Sequence, residues 1–131
     1  MGGAPGRRRA IMMRRVTQAD LPAMRARLEV SPHLAMFPLG NLDRYGLDGD
    51  APRAPMLWSD GAAVLCVTRE GMVMPFGSPD SALAMARVLA GRRVIGIIGG
   101  RDIARAVQRA AGLCDAPAKL DEDEPQFLLS L

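Results

Sequence analysis

The residues best placed for chemistry form the run Gly96-Ile97-Ile98-Gly99-Gly100-Arg101, which joins a predicted buried strand to a predicted helix. Backbone N–H groups at such a junction can bind a phosphate, and Arg101 would add positive charge. The spacing matches neither the G-x-G-x-x-G motif nor the lysine-containing phosphate loop. Gly99, Gly100 and Arg101 are therefore only candidate anion-binding residues. A tight strand-to-helix turn also requires glycine, and it is the favoured interpretation.

The candidate nucleophiles and bases are few. His33 is the only histidine, in the predicted first turn of a helix, and neither Cys66 nor Cys114 lies near it in sequence. There is no G-x-S-x-G motif, and two cysteines outside a CxxC with one histidine do not make a standard zinc site. We expect buried, reduced thiols and no metal centre.

Two further groups of side chains have a possible chemical role and a more ordinary one. The acidic run 121–124 could bind a divalent cation, but it lacks the glycine and spacing of a calcium loop. We interpret it as a solvated acidic loop. Phe37, Tyr45 and Trp58 could line an acyl pocket, although such residues more often anchor a core.

The positive charge is concentrated at the N-terminus. The chain has a net charge of +3, yet from Val16 to Leu131 there are 12 basic and 14 acidic residues, a balance of −2. No aromatic residue lies among Arg7–Arg9, Arg14 and Arg15 to stack a base. We therefore expect no nucleic-acid partner.

The chain has the size of one domain. We expect residues 1–9 to be a flexible basic leader and residues 10–131 to be a single α/β domain. No stretch approaches the about 18 consecutive apolar residues of a membrane helix, and no apolar segment of a secretion signal follows the N-terminal arginines. These features predict a cytoplasmic protein without membrane contact.

The pattern along the chain predicts the order β-α-α-β-β-β-α-β-α-β, a mixed sheet flanked by helices. Thr17 with Asp20 marks one helix start, Pro38 should limit or kink the second helix, and Gly46 should end it. The loop Leu47–Pro55 is the best candidate for a mobile segment. Predicted strands cover residues 10–16, 56–59, 62–68, 71–75, 94–98 and 126–131, with turns at Asp60-Gly61 and Gly99-Gly100 and later helices from Ser78 and Asp102.

Several stretches together resemble the GNAT superfamily of N-acetyltransferases. Val16-Thr17-Gln18-Ala19-Asp20-Leu21-Pro22 is similar to the opening V-T-x-A-D-L-P of that superfamily. The stretches 40–47, 65–75 and 93–99 look like the N-terminal half of its two-part members. The resemblance covers nearly all of Val16–Leu131. It implies a GNAT-like fold with a sheet of about six strands.

The resemblance also implies a function without a complete site. Members of the superfamily bind acetyl-CoA through a Q/R-x-x-G-x-G/A loop, at the N-terminus of the helix that follows. The stretch Arg93–Ile98 has the arginine and Gly96, but Ile98 replaces the second small residue and Arg93 precedes the strand. We therefore expect a non-catalytic N-terminal domain that does not bind acetyl-CoA tightly alone. Its partner would be a catalytic GNAT half absent from this chain, and Leu47–Pro55 could contribute acceptor-site surface.

Two other functions stay open. The chain could be a stand-alone interaction module that self-associates through apolar, methionine-containing surface, because methionine adapts to varied partners. It could also be a small complete acyltransferase, although the sequence shows no acetyl-CoA site.

Overall fold

The structure, a computed structural model, describes residues 12–30, 32–113 and 126–130, with the backbone alone for residues 32–35 and 126–130. The strands lie in the order β1-β2-β3-β4-β5-β6, and all neighbours are antiparallel except the parallel pair β4–β5. Their bounds are β1 Arg14–Arg15, β2 Pro55–Ser59, β3 Val64–Thr68, β4 Met72–Phe76, β5 Gly96–Gly100 and β6 Gln126–Ser130.

The helices flank this sheet on both faces. They are α1 Leu21–Glu29, α2 Pro32–Tyr45, α3 Ala82–Leu89 and α4 Arg101–Ala110, with 3-10 turns at Gln18–Asp20 and Pro79–Ser81. The predicted α/β architecture, a mixed sheet flanked by helices, is confirmed. Among the described residues, no helix has the length and apolar character needed to cross a membrane.

Local signals fix the ends of the first two helices. The Asp20 carboxylate accepts hydrogen bonds from the Thr17 N–H and hydroxyl, both at 3.0 Å, as the capping pattern predicts. Gly46, at φ 78°, follows the last residue of α2. Pro38 lies inside α2, and the helix runs through it without ending.

The core has two layers because β3 is buried on both faces. All five residues of β3 are buried, so alternate side chains need apolar partners on opposite sides of the sheet. Helices α3 and α4 cover one face, with Met85, Leu89 and Val107 against Leu65, Val67 and Ile97. Helices α1 and α2 cover the other, with Met24, Leu28 and Leu42 against Cys66 and Met74.

The register shows which way each strand turns its main-chain groups. The Val16 N–H donates to the Leu57 carbonyl at 2.8 Å, so the main-chain N–H and C=O of Leu57 point toward β1. Cys66 lies opposite Leu57 in an antiparallel pair, so its main-chain groups point away from β2 and toward β4. Its partner on β4 is Met74. Because main-chain groups alternate along a strand, the residues of β4 next to Met74 must face β5.

Pro75 is one of those residues, and it limits the pairing of β4 with β5. Proline has no N–H to donate, and the register of the two strands ends at Val73↔Ile97. Beyond that point Pro75 lies against Gly99, where an added Cβ would be 3.0 Å from the Pro75 carbonyl oxygen. The close approach of the two strands therefore favours glycine at position 99, because a larger residue would force Pro75 to shift by a few tenths of an ångström.

Two predicted turns are wrong. The strand predicted at residues 94–98 is instead Gly96–Gly100, because β6 pairs along both glycines that were assigned to a turn. The link between β2 and β3 is four residues, Asp60–Ala63, and not a two-residue Asp60-Gly61 turn. The Asp60 carboxylate accepts the N–H groups of Ala62 and Ala63, which keeps these residues out of the strand ladder.

The predicted first strand is reduced to Arg14–Arg15, with residues 10–11 outside the described part of the chain. The loop Leu47–Pro55, which the sequence marks as mobile, makes hydrogen bonds both within itself and to Arg69. The Asp48 N–H donates to the Pro55 carbonyl, and Arg69 Nε donates to the Gly49 carbonyl, both at 2.8 Å.

Replacement of Gly71 by alanine should destabilise the fold strongly. Gly71 has φ +112°, and an added Cβ would lie 2.4 Å from the Arg93 carbonyl oxygen, so strain and overlap combine. We expect a loss of about 3 kcal/mol in the free energy of unfolding. Urea unfolding followed by Trp58 fluorescence measures it.

Gly40→Ala is the matched control. Gly40 lies inside α2, and a Cβ there would meet nothing within 4 Å. Alanine should raise the free energy of unfolding by about 0.5–1 kcal/mol, because it favours the helix. Equal effects of the two substitutions would contradict the geometry at Gly71.

Candidate functional site

A cleft of about 600 Å³ lies at the carboxyl ends of β4 and β5. Open α/β sheets bind ligands outside the carboxyl ends of parallel strands, so this is the expected place for a site. Four parts of the chain form its walls: the end of α1, the β2–β3 turn, the segment after β4 and the start of α4. Its apolar lining includes Leu28, Val64, Phe76 and Ile103.

The charged lining of the cleft comes from two helix ends. Arg27 lies in the last turn of α1, and Arg101 and Asp102 lie in the first turn of α4. The N-cap of α4 is Gly100, which has no side chain to cap the first-turn N–H groups. These N–H groups carry the positive end of the helix dipole, so this side of the cleft favours an anion.

At the other strand-to-helix junction, between β4 and α3, the chain itself uses the first-turn N–H groups. The Asp80 N–H donates to Ser78 Oγ, and the Ser81 N–H donates to the Ser78 carbonyl, both at 3.1 Å. Pro79 has no N–H. The N–H groups at the first three helical positions of this junction are therefore already used or missing.

The predicted anion-site residues separate in the structure. Gly100 and Arg101 line the cleft, whereas Gly99 is buried within β5 against Pro75 and does not line it. Arg27 joins them in the cleft, and sequence reasoning missed it. Arg27 is far from Gly100 and Arg101 in the sequence, where it is simply a polar residue beside the apolar stripe of α1. No motif could therefore have identified it.

Of the other candidate nucleophiles, bases and metal ligands, only Cys66 has a described side chain. His33 lies in α2, and its side chain is not described. Cys66 is buried in the sheet, and burial raises the pKa of its thiol, which keeps it protonated and unreactive. Cys114 and the acidic run 121–124 lie outside the described residues. Within the described part, no group of His, Cys, Asp or Glu could hold a metal ion.

The three aromatic residues do not form an acyl pocket. Trp58 is buried in the core beneath α3 and α4, Phe37 is 44% exposed on α2, and Tyr45 is half-buried at the end of α2. The guanidinium groups of Arg15 and Arg92 lie 4.8 and 4.9 Å from the centre of the Trp58 ring. These contacts fit the core-anchoring interpretation of Trp58.

No known protein family matches this chain, and no curated protein or solved structure matches it either. The chemistry that this chain supports is therefore inferred from the cleft itself. Its described lining has two arginines and one carboxylate, Asp102, and it includes no histidine, cysteine, serine or tyrosine. Such a lining can bind an anion with an apolar portion, but it offers no nucleophile.

Asp60 fixes one wall of the cleft. Its carboxylate accepts the N–H groups of Ala62 and Ala63 at 2.8 and 2.7 Å and the Ser81 hydroxyl at 2.8 Å. Partial burial raises the pKa of Asp60, but these hydrogen bonds to the charged form outweigh it, and the net pKa is lowered. The β2–β3 turn is thereby attached to the start of α3.

Asp60→Asn should remove the part of this attachment that depends on charge. Because the folded pKa is below the unfolded value, the wild-type advantage is present above the unfolded pKa and disappears as pH falls through the folded pKa. We expect a loss of about 1 kcal/mol at pH 7, which begins to shrink below about pH 4 and vanishes only below the lowered pKa of the folded protein. Urea unfolding of both proteins from about pH 7 to about pH 2 measures this, and a constant difference across that range would contradict the mechanism.

Cys66 should resist alkylation in the folded protein. Its burial limits the reaction to opened molecules, so labelling should be about 10³-fold slower or more than in denaturant. Iodoacetamide labelling with peptide mass analysis, in a Cys114→Ser background, measures the rate. Fast native labelling would mean that the sheet opens locally at β3.

Proposed function

We propose that this chain is a non-catalytic domain of a GNAT-type N-acetyltransferase, an enzyme class that transfers acetyl from acetyl-CoA to an amine. The observation that carries the proposal is the cleft at the carboxyl ends of β4 and β5, which has anion-binding groups but no acid–base pair in its described lining. The element order, with one parallel pair in an otherwise antiparallel sheet, supports the GNAT-like part of the proposal.

The lining supports binding more than catalysis. Acetyl transfer to an amine requires a group that accepts the amine proton within hydrogen-bond reach. Asp102 is the only carboxylate of the described lining, and it lies on an exposed first turn of α4. The acetyl-transfer step is therefore assigned to a separate catalytic half, as the family resemblance implies.

The same geometry supports weak binding of acetyl-CoA at most. The first-turn N–H groups of the β4–α3 junction are used or missing, so the main anion-binding groups are the start of α4 with Arg101 and, across the cleft, Arg27. One helix N-terminus with exposed arginines binds phosphate weakly in water, because solvent screens the charges. We expect a dissociation constant above about 1 mM for the isolated chain.

Exposed apolar residues at the end of α1 and on α2 support a protein partner. Val30, Met36 and Phe37 are exposed by 81%, 59% and 44%, and Val30 also lines the cleft. Large exposed apolar residues are typical of interaction surfaces. In this proposal they contact the catalytic half. They also favour the second candidate function, a stand-alone self-association module.

Calorimetric titration of acetyl-CoA into the purified chain tests the proposal, together with an assay for free thiol release. We expect no saturation at micromolar concentration and no thiol release. At millimolar ligand, Arg27→Ala should weaken the residual phosphate-dependent binding several-fold, because it removes one of the two cleft arginines. Pantetheine, which lacks the phosphates, should not respond to this substitution.

Arg53→Ala is the matched control, because it removes the same charge from an exposed site outside the cleft. Its binding should equal that of the wild type. Saturable micromolar binding with thiol release would make the chain a complete acyltransferase and refute the non-catalytic assignment.

A further inference from the structure

The two edges of the sheet differ in how they are protected. β1 is only two residues long, and both are arginines, so this edge is short and charged. β6 is five residues long, and Gln126–Ser130 contains no charge, proline or glycine. Soluble proteins usually protect exposed strand edges with such residues, because an open edge pairs with other strands. No described strand lies on the outer side of β6.

The register identifies the backbone groups on that outer side. The main-chain groups of Val73 point toward β5. In a parallel pair the residue opposite directs its own main-chain groups away, so those of Ile97 point toward β6. Ile97 lies opposite Leu129 in an antiparallel pair, so the main-chain groups of Leu129 point toward β5. Because these groups alternate along a strand, those of Phe127, two residues earlier, also point toward β5. Leu128, between them, directs its N–H and C=O away from the sheet, as do the two end residues of β6.

The sequence of β6 is suited to pairing with a second copy of itself. In an antiparallel pair centred on Leu128, Gln126 lies opposite Ser130 of the other copy and Phe127 lies opposite Leu129. Polar residues thus meet polar ones, apolar residues meet apolar ones, and no like charges are opposed. The pairing is symmetric, so it closes as a dimer and does not propagate.

Charge selects the antiparallel orientation. The acidic run 121–124 precedes β6 by one residue in the sequence. A parallel pair would bring the two acidic runs to the same end of the interface, where they repel. An antiparallel pair assigns them to opposite ends.

The sheet surface next to β6 is also incompletely covered. The core beneath α1 and α2 is built on β2, β3 and β4, and the apolar residues at its margin, Met72, Phe76 and Ile98, are only partly buried. A second copy joined through β6 would extend the sheet beside this margin. Of these residues, Ile98 lies on β5, the strand that pairs with β6.

We propose that two copies of this chain associate through antiparallel pairing of β6 with β6, centred on Leu128, to form one continuous sheet. This inference is independent of the proposed acetyltransferase role, because it uses neither the cleft nor a catalytic half. Sedimentation or light scattering from about 1 µM to about 500 µM should show the mass rising to twice 14.0 kDa. A strict monomer throughout that range overturns the proposal.

Leu128→Pro tests the interface at its centre. It removes an outward N–H and leaves the bonds between β6 and β5 in place, so it should give a monomer with wild-type Trp58 fluorescence. Its Tm should equal that of the wild type at low concentrations, where the wild type is also a monomer. Phe127→Pro is the contrasting variant, because its N–H faces β5, and it should lower Tm. A Leu128→Pro protein that still dimerises would place the interface elsewhere and overturn the proposal.

Amide hydrogen exchange tests the same interface without a substitution. The Leu128 N–H should exchange fast at low protein concentration and become at least about tenfold slower in the dimer, since pairing protects it. The Phe127 and Leu129 amides should be protected at all concentrations, because they bond to β5. Fast exchange of Leu128 at every concentration, or protection only after addition of another protein, overturns self-pairing.

Discussion

The burial of β3 on both faces is the constraint on which the rest of this structure depends. A strand with no exposed residue cannot be stabilised by a single layer of helices, so apolar helices must cover each side of the sheet. Helices α3 and α4 supply one layer and α1 and α2 supply the other. The cleft forms where the end of α1 and the start of α4 extend past the strands, so its position follows from this arrangement of layers.

The sequence predicts helix ends well, because residues within one turn of each end determine them. Thr17 with Asp20 marks a helix start, and Gly46 marks a helix end, because each acts on backbone groups within one turn. The resemblance to an acetyltransferase half comes from longer stretches, and no comparison with known proteins supports it. It therefore stays a proposal.

The features that sequence reasoning missed depend on distant contacts. Gly99 and Gly100 have the composition of a turn, but pairing with β6 extends the strand through them. The four-residue β2–β3 link depends on Asp60, whose carboxylate also accepts the Ser81 hydroxyl from the start of another helix. Arg27 reaches the cleft only because α1 packs across the sheet. None of these contacts leaves a signal within a short sequence window.

The topology also has a consequence for the order in which the chain folds. The strands β2, β3 and β4 pair through two short turns, so their contacts close small loops. The β4–β5 pair must wait for the intervening α3, and the β1–β2 pair must span both α1 and α2. Because loop closure costs more entropy as the separation grows, the central meander is expected to be the folding nucleus. The edge strands β1 and β6 would then be the last to join, and residues that act late in folding mainly govern the unfolding rate.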